Sequence, residues 1–203
     1  MAIDYTKRVA LASKKGVRDP LFSSPILAPL KQFGGVMFPY MPDIQYDVRS
    51  VWEEQPLTHT NYAPNIYQRT SNPKVSINGA KFTASTVEEA QYMVALMHFF
   101  KTITKMHFGR SDGLRGSPPQ VLEFNAYGPA IFQNVPVVVS SVKYGYPSDI
   151  DYVPVQTPIG QVVVPIVLEM TIDLMTQYNT GPVARNFNLS DFASGKLAKQ
   201  GYV

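Results

Sequence analysis

The sequence predicts an α+β domain: an antiparallel β-sandwich or barrel with one long amphipathic helix and an extended N-terminal arm. Three observations carry this. Several segments alternate apolar and polar residues with period two, the signature of half-buried strands. Only one segment, about residues 86–107, repeats its apolar residues at helical spacing. Pro20, Pro25, Pro29, Pro39 and Pro42 interrupt every periodicity near the N-terminus, which sets residues 1–43 apart as an arm from a globular part at 44–203.

The arm is not a plain linker. It carries Leu21, Phe22, Ile26 and Leu27, followed by Leu30, Phe33, Met37 and Phe38. These residues give it the look of a segment that lies against another surface, its own or a neighbour's, and is ordered only there. Leu21, Phe22, Ile26 and Leu27 are therefore expected to be anchors onto neighbouring subunits. Next, Ile44, Tyr46, Val48 and Trp52 share one side of a predicted strand, with Gln45, Asp47, Arg49 and Glu53 on the other. Residues 56–73 are polar, aromatic and turn-rich, and read as a loop or irregular strand pair. Val75 and Ile77 lead into Asn78-Gly79, the strongest short-range hairpin signal, with Phe82 on the return strand.

The helix has a start and a stop. Ser85 or Thr86 can cap it, with Glu88 or Glu89 three residues on completing a capping box. Met93, Leu96, Met97, Phe100 and Ile103 form its core face, together with Ala90. Lys101 and Lys105 suit the negative end of the helix dipole, and the run from Gly109 through Pro118-Pro119 ends the element. Strands resume with Leu122, Phe124 and Ala126, then a valine-rich run from Val135 to Val142. In the last long strand Ile166, Leu168, Met170, Ile172 and Leu174 face one way, and Val167, Glu169, Thr171, Asp173 and Met175 the other. Ser190 is a candidate cap for a short terminal helix.

The 203 residues are 45% hydrophobic and 16% charged, enough for a sizeable core. There is no cysteine, which excludes disulfides, thiolate metal sites and cysteine nucleophiles. No apolar run is long enough to span a membrane, and the N-terminus lacks the apolar stretch of a secretory signal. Residues 1–31 hold six basic groups and two acids, so that the arm carries +4 and the remainder −1. Such an arm suits nucleic acid, an acidic protein surface or plain solvation. A soluble nucleic-acid-binding module built on it is the alternative reading of the whole chain.

Catalytic signals are sparse. His59, His98 and His107 are the only histidines, and no ligand spacing joins them to acids. The carboxylate pairs Glu53-Glu54, Glu88-Glu89 and Asp149/Asp151 are sequence neighbours, which seldom provide the two distinct environments that acid/base work needs. Gly113 and Gly116 precede a prolyl turn and not a helix, so they do not make a phosphate loop. No enzyme activity, cofactor or metal is expected.

Three stretches carry a resemblance. They are TASTVEEAQYMVALMHFFKTITKMHFG from Thr83, GSPPQVLEFNAYGPAIFQNVPVVVSS from Gly116, and DIDYVP from Asp149, with weaker echoes in HTNYAPNIYQRTSN and FNLSDFASGKL. In this order they resemble the baseplate tube proteins of contractile-tailed phages, the tail-tube initiator and tube-cap group. The resemblance implies a tail-tube fold assembled as a homo-hexameric adaptor ring. Its neighbours would be the baseplate hub and adjoining tube or tube-adaptor rings, with sheath initiator or wedge proteins nearby. DNA would be transiting cargo, and the protein would belong to the virion after assembly in the host cytoplasm. Glu169, Thr171 and Asp173 are then expected to line the channel, where acidic groups would repel phosphate.

Overall fold

A computed structural model describes residues 8–128 and 130–203. Residues 1–7 of the expected arm, with Asp4 and Lys7, lie outside the described residues, as does Pro129. The described residues form eleven strands: β1 (Ala10–Ser13), β2 (Gly35–Met37), β3 (Asp43–Asp47), β4 (Ser50–Glu54), β5 (Asn65–Thr70), β6 (Lys74–Thr83), β7 (Leu122–Ala126), β8 (Phe132–Tyr144), β9 (Tyr152–Thr157), β10 (Gly160–Pro165) and β11 (Val167–Thr176). Helix α1 (Val87–Ile103) sits between β6 and β7, and two short helices, α2 (Thr180–Asn186) and α3 (Leu189–Ala193), follow β11. Seven strands form one antiparallel sheet in the order β2-β1-β7-β8-β11-β6-β3, while β4–β5 and β9–β10 are separate two-stranded ribbons.

The chain is thus α+β with a mostly antiparallel sheet. Two packed sheets are not what fills the core, however. The second layer consists of α1, a 3-10 segment at Pro25–Phe33 and the β9–β10 ribbon, which contributes the buried Val155 and Val164. The sheet also curls. Phe38, beside edge strand β2, has its ring 5.5 Å from Phe82 of β6, and Tyr46 of edge strand β3 lies 6.1 Å from Phe132 of β8. These contacts bring distant strands together across the inner face without pairing the two edges to each other.

Helix α1 starts where its local chemistry requires. Thr86 is the N-cap and accepts from the Glu89 amide at 3.2 Å, while Glu89 Oε2 accepts from the Ser85 amide at 2.8 Å. This is a reciprocal capping pair that satisfies two otherwise unpaired donors. The helix is shorter than the expected 86–107, because the chain leaves it at Thr104 and Lys105 falls outside. Met93, Leu96, Met97, Phe100 and Ile103 are all buried, and so are Val94, Ala95 and Phe99 on other sides. The helix is enclosed on more than one face because the 3-10 segment and the β9–β10 ribbon pack against it as well as the sheet.

Residues 8–43 are not an extended arm. β1 is hydrogen-bonded between β2 and β7 inside the seven-stranded sheet, so no domain boundary falls at residue 43. Phe22 and Leu27 are buried in the core of their own subunit, and Leu21 and Ile26 pack partly buried against it. The Phe22 ring stacks on Phe99 of α1 with centroids 6.1 Å apart. The prolines do exclude α-helix here, but Pro20 and Pro25 each start a 3-10 segment, where a missing N–H costs nothing. The apolar residues find their burial intramolecularly, at about 1.5–3 kcal/mol for each fully buried Leu or Phe. Gly35 makes the fit possible: a Cβ there would lie 2.1 Å from the Leu11 carbonyl oxygen.

A polar clasp closes the same region. Asp19 is only 8% exposed, and its carboxylate accepts from the Ser13 hydroxyl, the Gln120 side-chain amide and the Leu21 N–H. Burial by itself would raise its pKa. The hydrogen bonds from Ser13, Leu21 and Gln120, with the nearby Lys15 charge, outweigh burial and hold the carboxyl below its usual range.

Two local expectations also change. Asn78-Gly79 is not a hairpin turn, because β6 runs straight through it. Ile77 pairs with Ile172 and Ala80 with Met170, so Asn78 and Gly79 together face the single residue Thr171. This is a β-bulge, with Gly79 at φ 60°. The predicted strand over 44–53 is two strands, broken at Val48-Arg49, and the second of them leaves the main sheet.

Candidate functional site

The first candidate surface is the outer face of the sheet. Along β11, Leu168, Met170, Ile172 and Leu174 are buried, and the alternate residues Glu169, Thr171, Asp173 and Met175 lie on the opposite side. The carboxylates there are not alone. Glu169 pairs with Lys81 of β6 at 3.0 Å, and Asp173 accepts from Ser76 Oγ at 2.8 Å. Lys143 of β8 stands opposite Thr171, and Lys74 opposite Met175. Cross-strand lysines thus stand among the carboxylates, and the strip carries both signs of charge.

A further recess lies beside the C-terminal segment. A 3-10 turn at Lys196–Gln200 packs on β8, and Tyr202 stacks on Tyr178 with centroids 5.5 Å apart. Burial pushes the Tyr178 phenol up to about 12, and its hydroxyl donates to the Gly201 carbonyl at 3.0 Å. A groove of about 910 Å³ opens beside it, lined by Lys14, Glu123, Asn134, Gln177 and Lys199 among others. Burial raises the Glu123 pKa despite the opposing Lys14 charge. Glu123 is the one carboxylate that lines the groove, beside Lys14 and Lys199.

The second surface is the β4–β5 ribbon. Its two strands pair only with each other, and nearly all of its residues are exposed. Trp52 is 57% exposed and meets Tyr67 edge-on at 5.3 Å, while Tyr62 in the connecting loop is 88% exposed. Sequence reasoning placed Trp52 on a buried side and missed this. A signal was present: NIYQRT does not alternate, so β5 has no apolar face that a core could cover.

The third surface is the loop that follows α1, residues 104–118. It is built and not merely exposed. Asp112 accepts from the Leu114 amide at 2.9 Å and contacts His107 Nδ1 at 2.9 Å, and backbone bonds join His107 to Gly116 and Ser117. The Leu114 amide, then His107, hold the Asp112 carboxyl below its usual pKa. The loop presents Phe108 at 79% and Leu114 at 61% exposure among Lys105, Arg110 and Arg115.

Among the described residues no group of three or more His, Asp or Glu gathers. No helix among them is long and apolar enough to cross a membrane. Leu21, Phe22, Ile26 and Leu27 do not join any of the three surfaces, and the helix face from Met93 to Ile103 lies in the core. No family model matches the chain, and no curated protein matches it.

Proposed function

We propose that this chain is a structural subunit of a contractile phage tail, forming a hexameric adaptor ring in the baseplate that initiates the tail tube and surrounds the DNA channel. The observation that carries this is the β4–β5 ribbon, two strands and a connecting loop with no core of their own to rest on. An isolated two-stranded ribbon is marginal in water, and contact with a neighbour would stabilise it. The resemblance of residues 83–152 to baseplate tube proteins supplies the direction. In this reading the tail-tube fold is a curled seven-stranded sheet with α1 behind it. The mixed-charge strip of Glu169, Thr171, Asp173, Lys81 and Lys143 faces the lumen, where balanced charge lets a polyanion pass without sticking. The hub and adjoining tube rings are the axial neighbours, and the protein resides in the virion.

Reconstruction of the tail that carries this chain tests the proposal, with six copies about the axis as the expected result and three or twelve as the contrary one. The alternative is a nucleic-acid module that uses the basic N-terminal segment, where Lys14, Lys15, Arg18 and Lys31 lie next to or beyond β1. Titration with duplex DNA at about 50 mM salt separates the two, since non-specific binding is strongest at low salt. No binding is expected.

A further inference from the structure

Two of the exposed surfaces complement each other. Residues 50–70, the β4–β5 ribbon with its loop, contain Glu53 and Glu54 against Arg69 alone. Their exposed apolar groups are Trp52, Leu57, Tyr62, Ile66 and Tyr67. Residues 104–118 contain Lys105, Arg110 and Arg115 against Asp112 alone. Their exposed apolar groups are Met106, Phe108 and Leu114. One patch carries −1 and the other +2, and each surrounds its charges with uncovered hydrophobic area. Neither patch bonds to the other within the subunit among the described residues, and Asp112, the loop's one acid, is already occupied by His107 and the Leu114 amide.

We propose that the β4–β5 ribbon of one copy docks on the 104–118 loop of a second copy of this chain, in a head-to-tail contact. Charge selects this occupant. Ribbon against ribbon would set Glu53 and Glu54 of two copies together, and loop against loop would oppose the arginines; both arrangements are repulsive. Ribbon against loop pairs opposite charges around an apolar centre, the usual anatomy of a specific interface. A contact between two different patches is heterologous, and repeated copies close into a ring when the rotation permits. Closure at six rests on the function proposed above, whereas the contact itself does not.

Because the chain has no cysteine, the variants Thr58→Cys on the ribbon and Ser111→Cys on the loop each carry one unique thiol. The full-length variants are mixed at high concentration and treated with a short bismaleimide, their folding being checked by circular dichroism. The mixed pair should cross-link well above either variant alone. Adding Glu53→Lys and Glu54→Lys to the ribbon variant should cut the product by about tenfold, and Arg110→Glu with Arg115→Glu in the loop variant should restore it. Self-linked products as abundant as mixed ones, or a charge reversal without effect or without rescue, overturn the contact. Chains carrying both cysteines report on the ring separately. A ladder ending at six supports both proposals, and a ladder running past six keeps the contact and removes the hexamer. Six-membered rings that form without this cross-link keep the hexamer and remove the contact.

Discussion

The Tyr92 hydroxyl of α1 donates to the Met37 carbonyl oxygen and accepts from the Met37 amide, both at 2.9 Å. One phenol thereby satisfies both backbone groups of the last residue of edge strand β2, and ties the strand to the helix. Burial pushes its pKa up to about 12, against the lowering effect of the bond to Met37. Tyr92→Phe removes both bonds and leaves two backbone groups short of partners. It should cost about 1–3 kcal/mol in denaturant titrations.

The raised Tyr92 pKa has a defined sign. The neutral phenol is the form the fold accepts, so its contribution is complete below the unfolded value near 10 and is lost as pH rises through 12. Each pH unit in that window removes about 1.4 kcal/mol from wild type but not from Tyr92→Phe. The stability gap between the two should therefore narrow from pH 10 to pH 12. A constant gap would show that the hydroxyl is not buried as described.

Asp19 works at the opposite end of the scale. Its folded pKa lies below the unfolded value, so its stabilisation is present above about pH 4 and fades as the carboxyl protonates below that. Asp19→Ala should lose about 1.5–3 kcal/mol near neutrality, the range for hydrogen bonds to a charged group. The loss should shrink on acidification, which urea melts at pH 7 and pH 3 would compare.

Phe100 and Lys101 are adjacent on α1 and differ completely in burial, the first enclosed and the second exposed. Phe100→Ala should cost about 3–5 kcal/mol through the cavity it leaves. Lys101→Ala should stay within about 0.5 kcal/mol. Thermal melts of the two variants side by side provide the check.

Removal of residues 1–30 takes away β1 and the buried Phe22, Leu27 and Leu30. The truncated chain should lose cooperative unfolding and bind a hydrophobic dye, having lost the strand between β2 and β7. Leu27→Ala alone should cost about 2–5 kcal/mol in the isolated subunit. A stable, cooperatively melting truncation would return this segment to the role of an intersubunit anchor.

What the sequence determined by itself lies within one or two turns of chain. Thr86 and Glu89 start α1 because the capping atoms are three residues apart, and the alternation from Leu168 to Leu174 marks a strand with one buried face because side chains alternate with period two. The absence of a cysteine closed whole classes of chemistry. Tertiary structure decided the remainder. Asn78-Gly79 encodes a left-handed residue, but whether that residue turns the chain or bulges a strand depends on whether β11 lies alongside to pair through it. The N-terminal prolines encode the lack of α-helix, not the destination of Phe22, which only the position of Phe99 supplies. Trp52 reads as a core residue until the chain breaks at Val48-Arg49 and carries it away from the sheet. Burial is a property of what comes to lie opposite a residue, and those partners are remote in sequence.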